Sequence, residues 1–450
     1  MVPSLVVTIT PTKYMKKILG LIEACELIHS NQLNPEELLA DCSLQADLHE
    51  PVLKAFLERA SVETMLSEVK TGPLMGIPVG IKDIIATKDF PTTNGSPIYK
   101  GLTPKDDAPV IKKIRELGGV VFGKTVTTEF AWRNPGPTTN PWNSEHTPGG
   151  SSSGSAASVA AGIVPLALGS QTQGSIVRPA AYCGVVGFKA SFGAVPRDGA
   201  HPLSGSLDHI GFFTRSVDDA AYALQLLKNA APSEEDSIVL PDIPVGPGSR
   251  LKPFSKPRIA VLKTAFDHLV SEDQAKALES AAELLRSAGA IVEILSLPDA
   301  YWDAINSMNL IMECEAAVIH QEHLKHNSEL LSIHIKELAE KGDSHSSSEY
   351  INARNLQKQL RASIGEYFKQ YEGFLSVPAS GEAPKGLGST GDPMFCALWS
   401  FLGTPSITLP FTKSSNGLPL GIQLIANYRD DAKLLSVAKF AEETFSALKP

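Results

Sequence analysis

Three short stretches hold residues whose types and spacing could do covalent chemistry. Residues 149–155 read Gly-Gly-Ser-Ser-Ser-Gly-Ser, residues 170–175 read Ser-Gln-Thr-Gln-Gly-Ser, and Lys82 and Asp83 interrupt an apolar run at 74–85. A serine hydroxyl is a weak nucleophile until an adjacent base takes its proton. A lysine amine can be that base only when neutral, and burial in a low-dielectric site disfavours its charged form. The apolar, β-branched residues around Lys82 would supply such burial. Taken singly, each feature has a plainer reading: Lys82 as a strand-end lysine reaching back to water, and 150–155 as a flexible Gly/Ser linker. A linker, however, is seldom followed directly by an apolar helix–strand unit, and this one is.

Other motifs carry less. Residues 150–154 match the G-x-S-x-G elbow, which would nominate Ser152, but that motif must follow a strand. Here it follows 134–148, a turn-rich stretch with four prolines. Residues 67–72 contain overlapping S-x-x-K and K-T-G patterns that belong on separate elements, and are read as chance. His320, His323 and His326 swing around a helix at i, i+3, i+6 instead of keeping three ligands on one face, so they are read as a solvated face. No dinucleotide-binding glycine fingerprint and no P-loop is present.

The elements around these stretches follow an α/β rhythm. Apolar positions at Ile18, Leu21, Ile22, Cys25 and Ile28 predict an amphipathic helix over 13–29. Asn34, Pro35 and Glu37 predict a second helix with a capping box. Residues 109–117 predict a helix closed by Gly118 and Gly119, followed by a strand at 120–124. Ser271 with Gln274 opens a further helix that leads through Gly289 into a strand at 291–295. The tail predicts a helical patch at 395–402, an apolar run at 405–410, a strand at 421–425 and a last helix from Asp431. The Pro/Gly-rich stretch 231–257 predicts a surface connection. Strands flank it on both sides, which favours one continuous sheet.

Composition excludes several classes. The chain has 450 residues, 43% of them hydrophobic and 20% charged, as expected of a large globular protein. A net charge of −9 with scattered Lys and Arg argues against nucleic acid. Five widely spaced cysteines without a Cys-x-x-Cys pair predict neither disulfides nor a cysteine metal site, and fit a reducing, cytoplasmic setting. No apolar run approaches the roughly 18 residues of a membrane span, and the opening residues lack a basic leader pattern.

One combination is more specific: Gly-Ile-Pro-Val-Gly-Ile-Lys-Asp at 76–83, Gly-Gly-Ser-Ser-Ser-Gly at 149–154 and Gln-Gly-Ser-Ile-Val-Arg-Pro-Ala at 173–180. It resembles the amidase signature family, the Ser-Ser-Lys amide hydrolases, over 74–192 and again over 396–425. The spacing of 24 from Ser151 to Ser175 also matches the family's. Residues 290–390 match poorly, and in the family this region shapes the substrate pocket. The resemblance implies an α/β fold of one large domain, 1–450, with a mixed central sheet covered by helices on both faces. Helices within 1–70 would pack on the signature core at 74–192.

The same resemblance implies that Ser175 is the nucleophile, Ser151 the bridging serine after a cis peptide at Gly150-Ser151, and Lys82 the base. The backbone amides of Thr172, Gln173, Gly174 and Ser175 would form the oxyanion hole. Ser152, Arg178 and Gln173 are the substrate-binding candidates. Two departures stand out. The family's common form has Asp at the position of Gln171 and Arg at that of Val177, so both ends of an ion pair are missing together, a change that can be nearly neutral. Arginine instead occupies 178, as in the malonamidase-like branch, where it could hold a substrate carboxylate through its guanidinium fork or form a structural salt bridge. Gln173 replaces a small residue, and would either narrow the pocket or donate from its amide.

The implied activity is hydrolysis of a small-molecule amide through an acyl-enzyme, without metal or cofactor. The alternatives are the glutaminase subunit of a tRNA-dependent amidotransferase, which needs partner subunits, and a catalytically silent amidase-like binding protein. The partner expectation is a small-molecule amide with no nucleic acid and no membrane, and with a homodimer left open.

Overall fold

A computed structural model describes residues 18–231 and 235–447. Its strands are β1 (Phe56–Arg59), β2 (Pro78–Lys82), β3 (Val120–Thr125), β4 (Leu166–Gln171), β5 (Val186–Lys189), β6 (His209–Thr214), β7 (Arg258–Lys263), β8 (Ile291–Ser296), β9 (Gly373–Ser376), β10 (Ser406–Lys413) and β11 (Pro419–Ile425). They form one mixed sheet in the order β1-β3-β2-β4-β6-β5-β10-β11-β9-β7-β8. The pairs β2/β3, β2/β4, β7/β8 and β7/β9 are parallel, and the remaining six are antiparallel. The predicted connection at 231–257 lies between β6 and β7 without splitting the sheet. Over 235–257 it has no helix or strand of the sheet, and buried Leu240, Ile243, Val245 and Leu251 anchor it.

The helices are α1 (Leu21–His29), α2 (Pro35–Leu53), α3 (Val62–Glu68), α4 (Pro109–Glu116), α5 (Ser153–Ala160), α6 (Val177–Cys183), α7 (Val217–Leu227), α8 (Glu272–Ser287), α9 (Asp299–Asn327), α10 (Ile333–Ser344), α11 (Ser347–Tyr367), α12 (Met394–Phe401) and α13 (Asp431–Ser446). Their ends follow local chemistry. Asn34 and Glu37 close the capping box of α2, and Ser271 accepts from Gln274 N at the start of α8. Gly118, at φ +89°, turns the chain out of α4 in the left-handed region that glycine enters freely. The first helix is shorter than the apolar spacing predicts: Gly20 is extended and caps α1, Ile18 precedes the helix and is exposed, and 13–17 lie outside the described residues.

The two larger apolar clusters are one through the N-terminal helices and the sheet, and a second under α9, α11 and α12. The second joins the sheet through Phe374 of β9, Ile425 of β11 and Leu262 of β7, against Met308, Leu360 and Trp399. The long helices of 299–367 are thereby fastened over one end of the sheet. Among the described residues no helix is long and apolar enough to cross a membrane.

Candidate active site

Parallel pairing of β2 and β4 sets the centre. Ile81 lies opposite Leu168, so the two strands end side by side and Lys82 reaches Ser170. Lys82 Nζ donates to Ser170 Oγ at 2.8 Å and to Ser151 Oγ at 2.7 Å. The loop carrying Ser151 runs into α5, which is drawn tightly onto β3. A Cβ on Gly154 would sit 2.1 Å from the Ala55 carbonyl oxygen and 2.5 Å from Val126 N, so only glycine permits this approach. The Gly150-Ser151 peptide is cis.

Lys82 is completely buried, and does not reach water as the plainer reading of a strand-end lysine would have it. Burial pushes its pKa down to about 7, against the opposing negative charge of Asp208. An amine in this range is partly neutral at neutral pH, the form a proton acceptor requires.

Ser151 and Ser175 line one cavity of about 550 Å³, together with Arg178, Asn309, Thr390 and Asp392. Ser170 and Asp208 border a neighbouring cavity of about 580 Å³ that shares Thr172 with the first. Among the described residues the backbone N–H groups of Thr172, Gln173, Gly174 and Ser175 have no hydrogen-bond partner. The loop that carries them is fixed from several sides. Thr172 Oγ1 donates to Asp208 Oδ1 at 2.5 Å. Gln173 Nε2 donates to Asn309 Oδ1 at 2.8 Å. A Cβ on Gly174 would lie 3.0 Å from Pro393 Cβ and 3.2 Å from Cys396 Cβ, so the start of α12 leaves little room for a side chain where glycine stands.

Gln171 accounts for the first departure in the sequence. Its Oε1 accepts from Ile176 N at 2.8 Å and Val177 N at 3.0 Å, while its Nε2 donates to Ser400 Oγ at 2.9 Å. Ser400 Oγ in turn donates to the Gln173 carbonyl at 2.8 Å. A neutral amide therefore satisfies donors and acceptor at a buried position, with apolar Val177 beside it and no charge left unpaired.

Arg178 is buried, and Nη2 donates to the Gly150 carbonyl at 2.7 Å and to Thr390 Oγ1 at 3.2 Å. Its Nε and Nη1 have no partner, and among the described residues it forms no ion pair. The structural salt bridge weighed from the sequence is thus absent here. Burial holds its pKa below the usual arginine value.

Ser152 corrects an expectation. Its hydroxyl donates to the Ser170 carbonyl at 3.1 Å and accepts from Ser170 N at 3.2 Å, and it does not line the cavity. It ties the α5 loop to β4, because alternation along the loop turns Ser151 to the lysine and Ser152 to the strand backbone. Sequence reasoning missed Ser170, Ser400, Asp208 and Asn309. Ser170 left a signal, a hydroxyl at the end of the apolar strand beside that of Lys82. The other three are brought in by distant elements, and no local pattern marks them.

The histidine reading is also corrected. His320 is fully buried and His323 half-buried, against Phe130, Tyr99 and His201. Only His326 lies on the solvated face, beside Glu322. His320 and His323 face each other through Nδ1 atoms 3.1 Å apart. Burial lowers the pKa of His201 to about 4 and of His320 to about 3. Among the described residues no group of His, Cys, Asp or Glu is arranged to hold a metal ion.

In sequence and fold the chain is similar to known proteins. The family profile described as Amidase matches residues 42–435. A glutamyl-tRNA(Gln) amidotransferase subunit from Halothermothrix orenii is 33% identical over 94% of this chain and 96% of its own length. A crystal structure of an amidase superposes with a TM-score of 0.84 at 30% identity, over 95% of this chain and all of the other. The native peptide amidase of Stenotrophomonas maltophilia does so with a TM-score of 0.79 at 27% identity, over 97% of this chain and 99% of the other.

Proposed function

The chain belongs to the amidase family, whose members act on carbon–nitrogen amide bonds, and from that premise we propose that it hydrolyses a small carboxylate-bearing amide through an acyl-enzyme on Ser175. One observation carries the reading: a fully buried lysine with its amine 2.7 Å from Ser151 Oγ, in a serine that shares its cavity with Ser175. Ser175 Oγ attacks the amide carbonyl while Ser151 takes its proton and passes one to neutral Lys82. The proton returns by the same route to the leaving nitrogen, which departs as ammonia or an amine, since an amide anion is a very poor leaving group. The N–H groups of Thr172 to Ser175 hold the oxyanion, each donor being worth about 3 kcal/mol in such sites. Water then attacks the acyl-enzyme, Lys82 and Ser151 accepting its proton, and the carboxylic acid is released.

Arg178 supports the carboxylate. A buried guanidinium with two unpartnered nitrogens at a cavity wall matches an anionic group of the substrate. The test is ammonia and amine release from a panel of neutral and carboxylate-bearing amides, glutamine included, with fluorophosphonate labelling of Ser175 alongside. Turnover of no amide and no labelling would leave the silent binding protein as the reading.

The relatives favour a second reading, in which the amide is glutamine and the ammonia is passed to partner subunits of a tRNA-dependent amidotransferase. Glutamine is itself a small amide with a carboxylate, so the chemistry at Ser175 is common to both. Glutamine hydrolysis that appears only when amidotransferase partner proteins are added would select this reading over the stand-alone hydrolase.

A further inference from the structure

Gln173 bridges two walls of the cavity, and we propose that this bridge limits the size of the acyl group that reaches Ser175. The inference rests on the reading of Ser175 as the nucleophile. Gln173 stands two residues before Ser175, on the loop that carries the candidate oxyanion donors. Its carbonyl is held by Ser400 Oγ at 2.8 Å, and its side-chain Nε2 donates to Asn309 Oδ1 at 2.8 Å. Asn309 belongs to α9, one turn beyond Ile305, and both line the same cavity. The side chain thus spans from the β4–α6 loop to α9 across space that a smaller residue would leave open.

The bridge is anchored at both ends. On the loop side, the Gln173 carbonyl accepts from Ser400 Oγ at 2.8 Å, and Pro393 and Cys396 leave little room for a side chain on the next residue. On the helix side, Met308, beside Asn309, and Ile311, two residues on, are fully buried in the second apolar cluster and hold this turn of α9 in place. A long acyl chain has to break the amide–amide hydrogen bond and leave both polar groups facing apolar matter, whereas a short one fits beside it. Arg178 works in the same direction, because a carboxylate held at one wall sets the distance to the scissile carbonyl. The geometry therefore selects short acyl groups, with Gln173 and Asn309 acting together as the stop.

Rates of Ser175 modification by methyl, butyl and octyl fluorophosphonates, read by intact-protein mass, test this without knowledge of the natural substrate. The wild-type protein should react fastest with the methyl reagent. In Gln173→Ala and in Asn309→Ala the octyl-to-methyl rate ratio should rise by about tenfold or more, the scale on which a pocket discriminates by a few methylenes. Two variants on opposite walls guard against one that merely misfolds. The ratio, unlike the absolute rate, is insensitive to general weakening of the site. An unchanged ratio in either variant overturns the inference while leaving Ser175 as the nucleophile. No labelling of the wild-type protein by any reagent removes the nucleophile reading, and this inference with it.

Discussion

The side-chain amide of Gln171 and the hydroxyl of Ser400, 229 residues apart in sequence, lie 2.9 Å apart in a buried hydrogen bond. Through it α12 is joined to the end of β4, and Ser400 passes the connection on to the carbonyl of Gln173. On this side the loop bearing the candidate oxyanion donors is held by neutral groups with no ion pair among them, while Thr172 ties it to the Asp208 carboxyl.

Breaking that network should loosen transition-state stabilisation more than substrate binding. Gln171→Ala and Ser400→Ala are expected to lower kcat by about 10–10²-fold, somewhat less than loss of an oxyanion donor itself, with a smaller change in KM. Steady-state kinetics on any amide found to turn over would check this. A rise in KM with kcat intact would show that the network serves binding instead.

Lys82 should set the pH dependence. In the proposed mechanism its neutral form accepts the proton, so kcat/KM is expected to rise as pH increases through about 7 and to level off above it. Lys82→Ala should cost about 10²–10⁴-fold or more in kcat and abolish fluorophosphonate labelling. A flat pH–rate profile from about pH 6 to 9 would contradict the assignment of Lys82 as base.

Arg178→Ala is expected to raise KM for carboxylate-bearing amides by about 10–10²-fold, from loss of a charge-assisted contact. Neutral amides should show no comparable rise. An equal rise in KM for both kinds, measured side by side, would remove the carboxylate from the reading.

Stability should respond at the neighbouring buried pair. Lys124 Nζ lies 3.4 Å from Asp83 Oδ1, and both side chains are almost wholly shielded from water. Asp83→Ala removes one partner and leaves a buried ammonium, a change that typically costs about 3–5 kcal/mol. Chemical denaturation should show it as a lowered midpoint. A midpoint within experimental error of the wild type would mean that Lys124 finds compensation in the Ile85 carbonyl and Thr92, which already accept from it.

The histidine cluster predicts acid sensitivity. The folded-state pKa values of His201 and His320, about 4 and about 3, lie below the ordinary 6.5. As pH falls below 6.5 the unfolded chain binds protons first, so stability is full above that value and is lost on the way down, to about 4 for His201 and to about 3 for His320. His320→Phe should flatten the decline between about pH 7 and 4.5 by roughly 1–3 kcal/mol. An equally steep decline in the variant would place the acid sensitivity elsewhere.

Much of the chain is legible from local sequence. Helix and strand boundaries follow from caps and apolar spacing, which act within a few residues: Asn34 with Glu37, Ser271 with Gln274, and Gly118 after α4. The family is legible because Lys82, Ser151 and Ser175 stand in short, unusual strings whose spacing is itself informative. What the sequence left open needed contacts between segments far apart in the chain. The role of Gln171 depends on Ser400, that of Gln173 on Asn309, and the burial of His320 on Phe130 and His201. Ser152, one residue from Ser151 and of the same type, is told apart only by the strand it faces. Local propensity fixes elements because its interactions are short in sequence, whereas the choice among equivalent polar residues is made by which partner tertiary packing delivers to each.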